Sequence, residues 1–95
     1  MSCLIWNSRG LGNLGTVLEL HNVVRLESPV LVFVSETKVD SERVRNLTSR
    51  LDFARCVPVA SNGLSGGMVL YWSREVVVEL QTFSDQHMDV HIENI

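Results

Sequence analysis

Two polar residues, Asn7 and Glu36, each follow a short apolar run and are the first candidates for chemistry in this sequence. The runs are residues 3–6 and residues 30–34, with Ser35 between the second run and Glu36. Polar side chains at the exits of two neighbouring strands form the binding sites of many α/β proteins. An amide and a carboxylate that meet there could hold a divalent ion. Each also has an ordinary interpretation, because Asn7 could bond to loop backbone groups and Glu36 could be a surface charge or an ion-pair partner.

The elements that position these residues are predicted from the first half of the chain. Residues 3–6 predict a buried strand, and residues 30–34, which are apolar and mostly β-branched, predict a central strand covered on both faces. Between them, Thr16 and Glu19 occupy the positions of a capping box that starts a helix, and Ser28-Pro29 ends it. The apolar face of this helix is predicted to comprise Val17, Leu20, Val24 and Leu26.

The second half of the chain predicts one more helix and a series of strands. Asp40 can cap this helix, and its buried stripe is predicted to be Val44, Leu47 and Leu51. Four strands follow, at residues 53–60, 68–72, 76–83 and from 88 onward. Pro58 makes the first of these an edge strand or a bulge. The predicted fold is therefore α/β, with the order β-α-β-α followed by an antiparallel meander.

Size and charge restrict the classes of protein that this chain can belong to. It has 95 residues and a formal net charge of −3, which fits one small domain or part of one. No apolar run approaches the roughly 20 residues that span a bilayer, and no secretory signal is recognisable. Cys3 and Cys56 predict two reduced, partly buried thiols in an intracellular protein, and a disulfide between them is the less favoured alternative. The charge argues mildly against a surface that wraps nucleic acid, and Arg43, Arg45 and Arg50 predict a solvated helix face.

A glycine-rich segment after the first strand suggests a different function. Gly10, Gly12 and Gly15 match G-x-G-x-x-G, and Glu36 ends the next strand, as in the dinucleotide-binding fingerprint. Three features count against that function. Extra residues separate the strand from Gly10, the predicted helix starts at Thr16 after the third glycine, and a meander replaces the third parallel strand. The alternative is that the glycines form a tight surface loop.

Two segments resemble the first two motifs of the endonuclease/exonuclease/phosphatase superfamily. They are LIWNSRGLG at residues 4–12 and LVFVSETK at residues 31–38. The nearest similarity is to the apurinic-endonuclease-like domain of plant LINE (non-LTR) retrotransposons. GLSGGM at residues 63–68 with LYW at 70–72, and SDQHMDV at 84–90, resemble further landmarks of that group. The resemblance extends over essentially the whole chain.

This resemblance implies a metal-dependent phosphodiesterase on a four-layer α/β sandwich, of which residues 1–95 form the N-terminal part. Glu36 matches the family's metal-binding glutamate, and Asn7 matches the asparagine that helps to position metal and phosphate. Both are therefore catalytic candidates, with weakly bound Mg²⁺ or Mn²⁺ as the implied cofactor. DNA is the implied partner and the nucleus the implied location. Arg9 and Lys38 are candidate contacts to DNA phosphate, and the alternative for both is a solvated charge.

The sequence lacks two features that the family uses for catalysis. No Asp-x-Asn motif, which supplies the general base, and no later Asp-His pair occur before Ile95. His87 and His91 are not substitutes and are predicted to be exposed or satisfied strand histidines. We therefore expect a domain truncated at its C-terminus, with little or no catalysis on its own. The strands from Met68 and Val76 are then expected to expose an apolar face that favours self-association.

Two other functions stay open from the sequence. One is a non-catalytic interaction or structural module that uses the sheet edge and the apolar face as its interface. The other, less favoured, is a dinucleotide-binding domain that uses Gly10, Gly12, Gly15 and Glu36. Trp6 and Trp72 are predicted to be core residues, not platforms on which bases stack.

Overall fold

Two helices and six strands make up the described part of the computed structural model, which comprises residues 2–59, 66–83 and 88–94. In chain order they are β1 (Cys3–Asn7), α1 (Leu14–Glu27), β2 (Leu31–Ser35), α2 (Ser41–Arg50), β3 (Arg55–Val59), β4 (Met68–Trp72), β5 (Val76–Phe83) and β6 (Met88–Asn94). The predicted α/β class and the predicted order of elements are confirmed. No helix among the described residues is long and apolar enough to cross a membrane.

Strands β1 to β4 form one sheet in the order β1-β2-β4-β3. β1 and β2 are parallel, whereas β4 runs antiparallel to both of its neighbours, β2 and β3. The predicted central strand is confirmed, because Val32 and Val34 of β2 are fully buried. β3 is an edge strand of this sheet, which is where Pro58 can lie without removing a ladder hydrogen bond.

The prediction of one continuous meander is wrong, because β5 and β6 form a separate two-stranded sheet. β2 and β3 occupy both edges of β4, so β5 has no free edge of β4 with which to pair. The chain instead turns after β4, where the Glu75 N–H donates a hydrogen bond to Ser73 Oγ (3.2 Å). The β5–β6 hairpin then packs on one face of the four-stranded sheet.

Both helices pack on the opposite face of the sheet and bury the larger core cluster. The predicted apolar stripes are confirmed, except that Leu26 is 84% exposed. This cluster comprises Leu11, Val17, Leu20, Val24, Val32, Val34, Val44, Leu47, Leu51, Phe53, Val69 and Tyr71. Burial of each such aliphatic side chain contributes about 1.5–3 kcal/mol to stability.

The hairpin side of the sheet buries a second cluster and corrects one expectation. The strands from Met68 and Val76 do not present an apolar face to water, because the hairpin covers β4. Leu70 and Trp72 are 2% and 7% exposed, and they pack with Val76. Val78 of β5 and Met88 and Val90 of β6 also pack against this cluster.

Strand β1 is less buried than predicted because it lies at the edge of the sheet. Leu4 and Trp6 pack against the helix-side cluster, which confirms Trp6 as part of the core. Ile5, on the other face, is 80% exposed. Cys3 is also exposed rather than partly buried, whereas Cys56 is half-buried as predicted, and both thiols are free.

The first helix starts earlier than the capping-box pattern predicts. Its N-cap is Asn13, whose side chain accepts a hydrogen bond from the Gly15 N–H (2.7 Å). Thr16 and Glu19 therefore lie inside the helix. The helix end is as predicted, because Ser28 adopts a left-handed C-cap conformation and its N–H donates to the Val24 carbonyl (2.9 Å). The second helix has the predicted cap, with Asp40 accepting from the Arg43 N–H (2.9 Å).

Tyr71 joins β4 to α2 inside the larger core cluster. Its hydroxyl donates a hydrogen bond to the Val44 carbonyl (2.6 Å), and its ring stacks on Phe53 with centroids 5.8 Å apart. Burial, followed by the nearby Cys56, raises the pKa of the Tyr71 hydroxyl well above its ordinary value. The hydroxyl therefore remains a proton donor across the physiological range.

Replacing Tyr71 with phenylalanine should lower the free energy of unfolding by about 1–2 kcal/mol, because a buried hydrogen bond is lost while the ring packing is kept. Urea denaturation followed by tryptophan fluorescence measures this change. An unchanged midpoint with an unchanged slope would show that the bond between Tyr71 and Val44 does not stabilise the fold.

Candidate functional site

Asn7 and Glu36 lie at the same edge of the sheet because β1 and β2 are parallel neighbours. Asn7 ends β1 directly opposite Ser35, and Glu36 follows Ser35. Neighbouring strands are about 4.8 Å apart, so the backbones of Asn7 and Glu36 are close. Both side chains are exposed. The structure thus brings the two predicted residues to one solvent-accessible edge.

Ser8 fastens the two strand exits to each other. Its side chain is buried, and its hydroxyl lies 3.0 Å from the carbonyl oxygens of both Ser35 and Glu36, to which it donates a shared hydrogen. The Ser8 N–H also donates to the Ser35 carbonyl (3.0 Å). The same hydroxyl oxygen accepts from the Gly10 N–H (3.2 Å). The loop after β1 is therefore held against the loop after β2.

A third segment, Gly66 and Gly67 before β4, completes this arrangement. The Thr37 N–H donates to the Gly67 carbonyl (3.2 Å), and the Lys38 N–H donates to the Gly66 carbonyl (3.0 Å). On the other side, the Leu11 N–H donates to the Thr37 carbonyl (2.7 Å). Glu36 thus lies in a loop with backbone hydrogen bonds to both neighbouring segments. We call these three segments, which are residues 8–11, residues 36–38 and residues 66–67, the exit loops.

Left-handed backbone conformations are concentrated in the exit loops. Of the eight positive-φ positions among the described residues, six lie there: Arg9, Gly10, Glu36, Lys38, Gly66 and Gly67. For a residue with a Cβ, such as Glu36 at φ 52°, this conformation costs roughly 1–2 kcal/mol relative to the right-handed one. Such costs persist where the surrounding structure imposes them, and they cluster at functional sites.

The side chain of Asn7 makes one hydrogen bond among the described residues and has capacity for more. Its Oδ1 accepts from the Arg9 N–H (3.2 Å), which is the loop-stabilising role expected of an asparagine in a turn. An amide oxygen has two lone pairs, and the amide nitrogen has two hydrogens. Asn7 can therefore stabilise its own loop and still offer an oxygen to an ion or a nitrogen to a phosphate.

The carboxylate of Glu36 makes no ion pair with any residue that the structure describes. It is exposed and follows a strand that is itself buried. The salt-bridge interpretation of Glu36 thus finds no partner in the described ranges. Beside it, the Thr37 side chain is fully buried, and its hydroxyl has no hydrogen-bond partner among the described residues.

The predicted phosphate contacts, Arg9 and Lys38, both belong to the exit loops. Arg9 is exposed two residues after Asn7. Lys38 is half-buried, and a Cβ added at Gly10 would lie 3.9 Å from its Cδ. The aliphatic stem of Lys38 therefore lies near the glycine loop. Neither residue forms an ion pair within the described part of the chain.

The glycine motif has its own local explanation in this loop. Gly10 has φ 119°, which a residue with a side chain rarely adopts, whereas Gly15 lies inside α1 and bonds to its N-cap. The early helix start removes one of the three objections to a dinucleotide site. The other two stand, because Ser8 and Arg9 precede Gly10 and because β4 is antiparallel to β2.

Sequence analysis did not single out Ser8, Thr37 or the contacts of Gly66 and Gly67. A small hydroxyl residue directly after a strand is a usable signal for Ser8. Among the described residues, no group of three or more His, Cys, Asp or Glu side chains gathers at one point. His91 is exposed and lies 3.0 Å from Glu93, as predicted for a surface histidine. His87 and residues 60–65 and 84–86 lie outside the described ranges.

Comparisons with protein-family models and with curated proteins find no match for this chain.

Proposed function

We propose that this chain is the first part of a Mg²⁺-dependent DNA endonuclease domain of the kind found in plant LINE retrotransposons. Such a domain belongs to the endonuclease/exonuclease/phosphatase superfamily and has a four-layer α/β sandwich, to which the sheet, its helices and the hairpin would contribute. One observation carries the proposal. The strands of the two motifs, β1 and β2, are adjacent and parallel, so that Asn7 and Glu36 lie at the same edge of the sheet. A nuclear location follows from the same proposal.

The oxygen donors at this edge suit Mg²⁺ or Mn²⁺. Mg²⁺ prefers oxygen ligands, retains several waters and commonly takes only one or two protein carboxylates. Glu36 supplies one carboxylate, which forms no ion pair with the described residues, and Asn7 supplies an amide oxygen with a spare lone pair. With a single carboxylate, the site would bind the ion weakly. A bound Mg²⁺ polarises a phosphoryl oxygen and stabilises the charge that develops on it.

The chain's own residues would bind and orient a DNA phosphate at this site. In the proposal, Glu36 holds the ion and Asn7 positions both the ion and the phosphate. Arg9 and Lys38, each two residues after one member of this pair, add positive charge in the same loops, and an arginine can contact two phosphate oxygens at once. The hydrogen bonds of Ser8 keep the two loops in register, so that these groups act at one place.

The chain by itself should not cleave DNA. Hydrolysis needs a base that orients and deprotonates the attacking water, and the sequence contains no Asp-x-Asn motif to supply it. We expect supercoiled plasmid incubated with Mg²⁺ and this protein to be nicked no faster than with Glu36→Ala. Nicking by the natural chain that disappears in Glu36→Ala would show that a base is present and would refute this expectation.

A non-catalytic interaction module is the second candidate, and exposed apolar residues favour it. Ile5 on β1 is 80% exposed, and Leu14 and Leu18, one turn apart on α1, are 53% and 50% exposed. Self-association, if it uses the sheet, would involve the face of β1 that carries Ile5 and not β4. Sedimentation velocity tests this: self-association weakened by Ile5→Ser supports it, and an unchanged monomer at high concentration contradicts it.

A further inference from the structure

Two open grooves lie at the end of the sheet opposite the exit loops, where β3 begins and β4 ends. The larger has a volume of about 780 Å³ and runs beside Ser73 and residues 76–78. The smaller, of about 490 Å³, runs between α2 and β3 and is lined by Thr48, Cys56 and Val57 among others. Ala54, Arg55 and Trp72 border both grooves. They therefore form one continuous surface, which we call the arginine groove.

Among the residues that the structure describes, every charged residue lining the arginine groove is an arginine. They are Arg45 from α2, Arg55 from β3 and Arg74 from the turn between β4 and β5. Each is exposed, and none forms an ion pair within the described ranges. The whole chain has 8 basic residues and a net charge of −3. Three arginines with no acidic residue among the described lining residues thus form a local excess of positive charge.

Apolar side chains also line the arginine groove. Trp72 is 7% exposed and Val77 is 52% exposed, while Cys56 and Val57 are half-buried. A lining with both cationic and apolar side chains fits a ligand that has both carboxylates and aliphatic side chains. Guanidinium groups bind carboxylates in a planar, two-bond geometry, and aliphatic side chains gain about 25 cal/mol for each Å² that they bury.

We propose that the arginine groove binds an acidic peptide segment in which carboxylate and aliphatic side chains alternate. A nucleic-acid strand fits this surface less well, because binding of single strands relies on exposed aromatic faces for stacking. Trp72 is the one aromatic residue among the described lining residues, and it is almost completely buried. The proposal does not rest on the endonuclease assignment, since the groove is at the other end of the sheet.

Fluorescence anisotropy with a labelled peptide of alternating glutamate and leucine tests this proposal. The groove variant carries Arg45→Ala, Arg55→Ala and Arg74→Ala. The control variant carries Arg25→Ala, Arg43→Ala and Arg50→Ala, which removes the same charge from arginines outside the groove. We expect affinity to fall at least about tenfold in the groove variant, because charge-assisted bonds are lost, and to change little in the control. A peptide with glutamine in place of glutamate should bind to the natural chain as weakly as the glutamate peptide binds to the groove variant.

Three results would overturn the proposal. Equal losses in the two variants would show that only overall charge matters. Equal binding of the glutamine peptide would remove the role of the carboxylates. Tighter binding of single-stranded oligothymidylate than of the peptide, lost only in the groove variant, would assign the groove to nucleic acid. Because all three groove arginines are exposed, the variants should fold, and circular dichroism with urea denaturation verifies this. Arg55→Lys, which keeps the charge, should weaken binding less than Arg55→Ala.

Discussion

Replacing Glu36 with glycine should strongly weaken Mn²⁺ binding at the exit loops and at the same time make the protein more stable. The carboxylate is the only charged oxygen donor that we assign to the proposed ion, so its removal should weaken binding by at least about tenfold. The backbone at Glu36 is left-handed, with φ 52°. Glycine adopts this conformation without the Cβ clash, and we expect stability to rise by about 1 kcal/mol.

Ser28→Gly is the matched control for this variant. Ser28 also has a left-handed backbone, with φ 47°, but it caps the far end of α1 and belongs to none of the exit loops. It should gain a similar stability and keep full Mn²⁺ binding. Electron paramagnetic resonance of free Mn²⁺ measures the binding, and urea denaturation measures the stability.

The pair of variants separates a functional Glu36 from a structural one. Undiminished Mn²⁺ binding in Glu36→Gly would show that the ion is not held by this carboxylate. A loss of stability in Glu36→Gly, with a gain in Ser28→Gly, would show that the Glu36 side chain stabilises the loop and would favour the ion-pair interpretation.

Replacing Ser8 with alanine should have the largest effect on stability of any single change at the site. Its hydroxyl contacts the carbonyls of Ser35 and Glu36 and the N–H of Gly10, all in a buried position. Each hydrogen bond contributes about 1 kcal/mol, and groups left without partners add a desolvation cost. We expect the free energy of unfolding to fall by about 2–3 kcal/mol.

Ser8→Ala should also weaken Mn²⁺ binding, because the loops that carry Asn7 and Glu36 lose their common contact. Ser2→Ala is the control: Ser2 is exposed, and the hydrogen bond that it makes to Val30 uses its backbone carbonyl. The Ser2→Ala variant should have the same free energy of unfolding and the same Mn²⁺ affinity as the natural chain. A Ser8→Ala protein with natural stability and natural Mn²⁺ binding would show that the serine does not hold the two strand exits together.

Local patterns predicted the elements whose signals lie within a few residues of each other. The apolar run of β2, the Asp40 cap and the end of α1 at Ser28 all follow from nearest neighbours in sequence. The predicted start of α1 at Thr16 was wrong because two candidate N-cap residues, Asn13 and Thr16, compete there. Asn13 bonds to the Gly15 N–H and starts the helix before Thr16 can act as a cap. Sequence alone does not rank two such local solutions.

Tertiary features were predicted only where connectivity restricts them. The order strand, helix, strand predicted that Asn7 and Glu36 lie together, because two strands connected in this way are usually parallel neighbours. β1 and β2 are indeed parallel neighbours. The insertion of β4 between β2 and β3 depends on pairing between distant residues, so local patterns did not reveal it. For the same reason Ser8, whose partners are 27 and 28 residues away, was missed. The arginine groove combines three separate elements and was missed likewise.

The most direct test of the proposed site is a titration of ¹⁵N-labelled protein with Mn²⁺, followed by nuclear magnetic resonance. A bound paramagnetic ion broadens the signals of nearby amides first. We predict that the amide signals of Asn7, Ser8, Glu36 and Thr37 disappear before those outside the exit loops, because these residues form the Asn7–Glu36 edge. Earlier broadening at the exposed acidic residues of the hairpin, Glu79 and Glu93, would place the ion elsewhere. That result would contradict a shared divalent-ion site at the two strand exits.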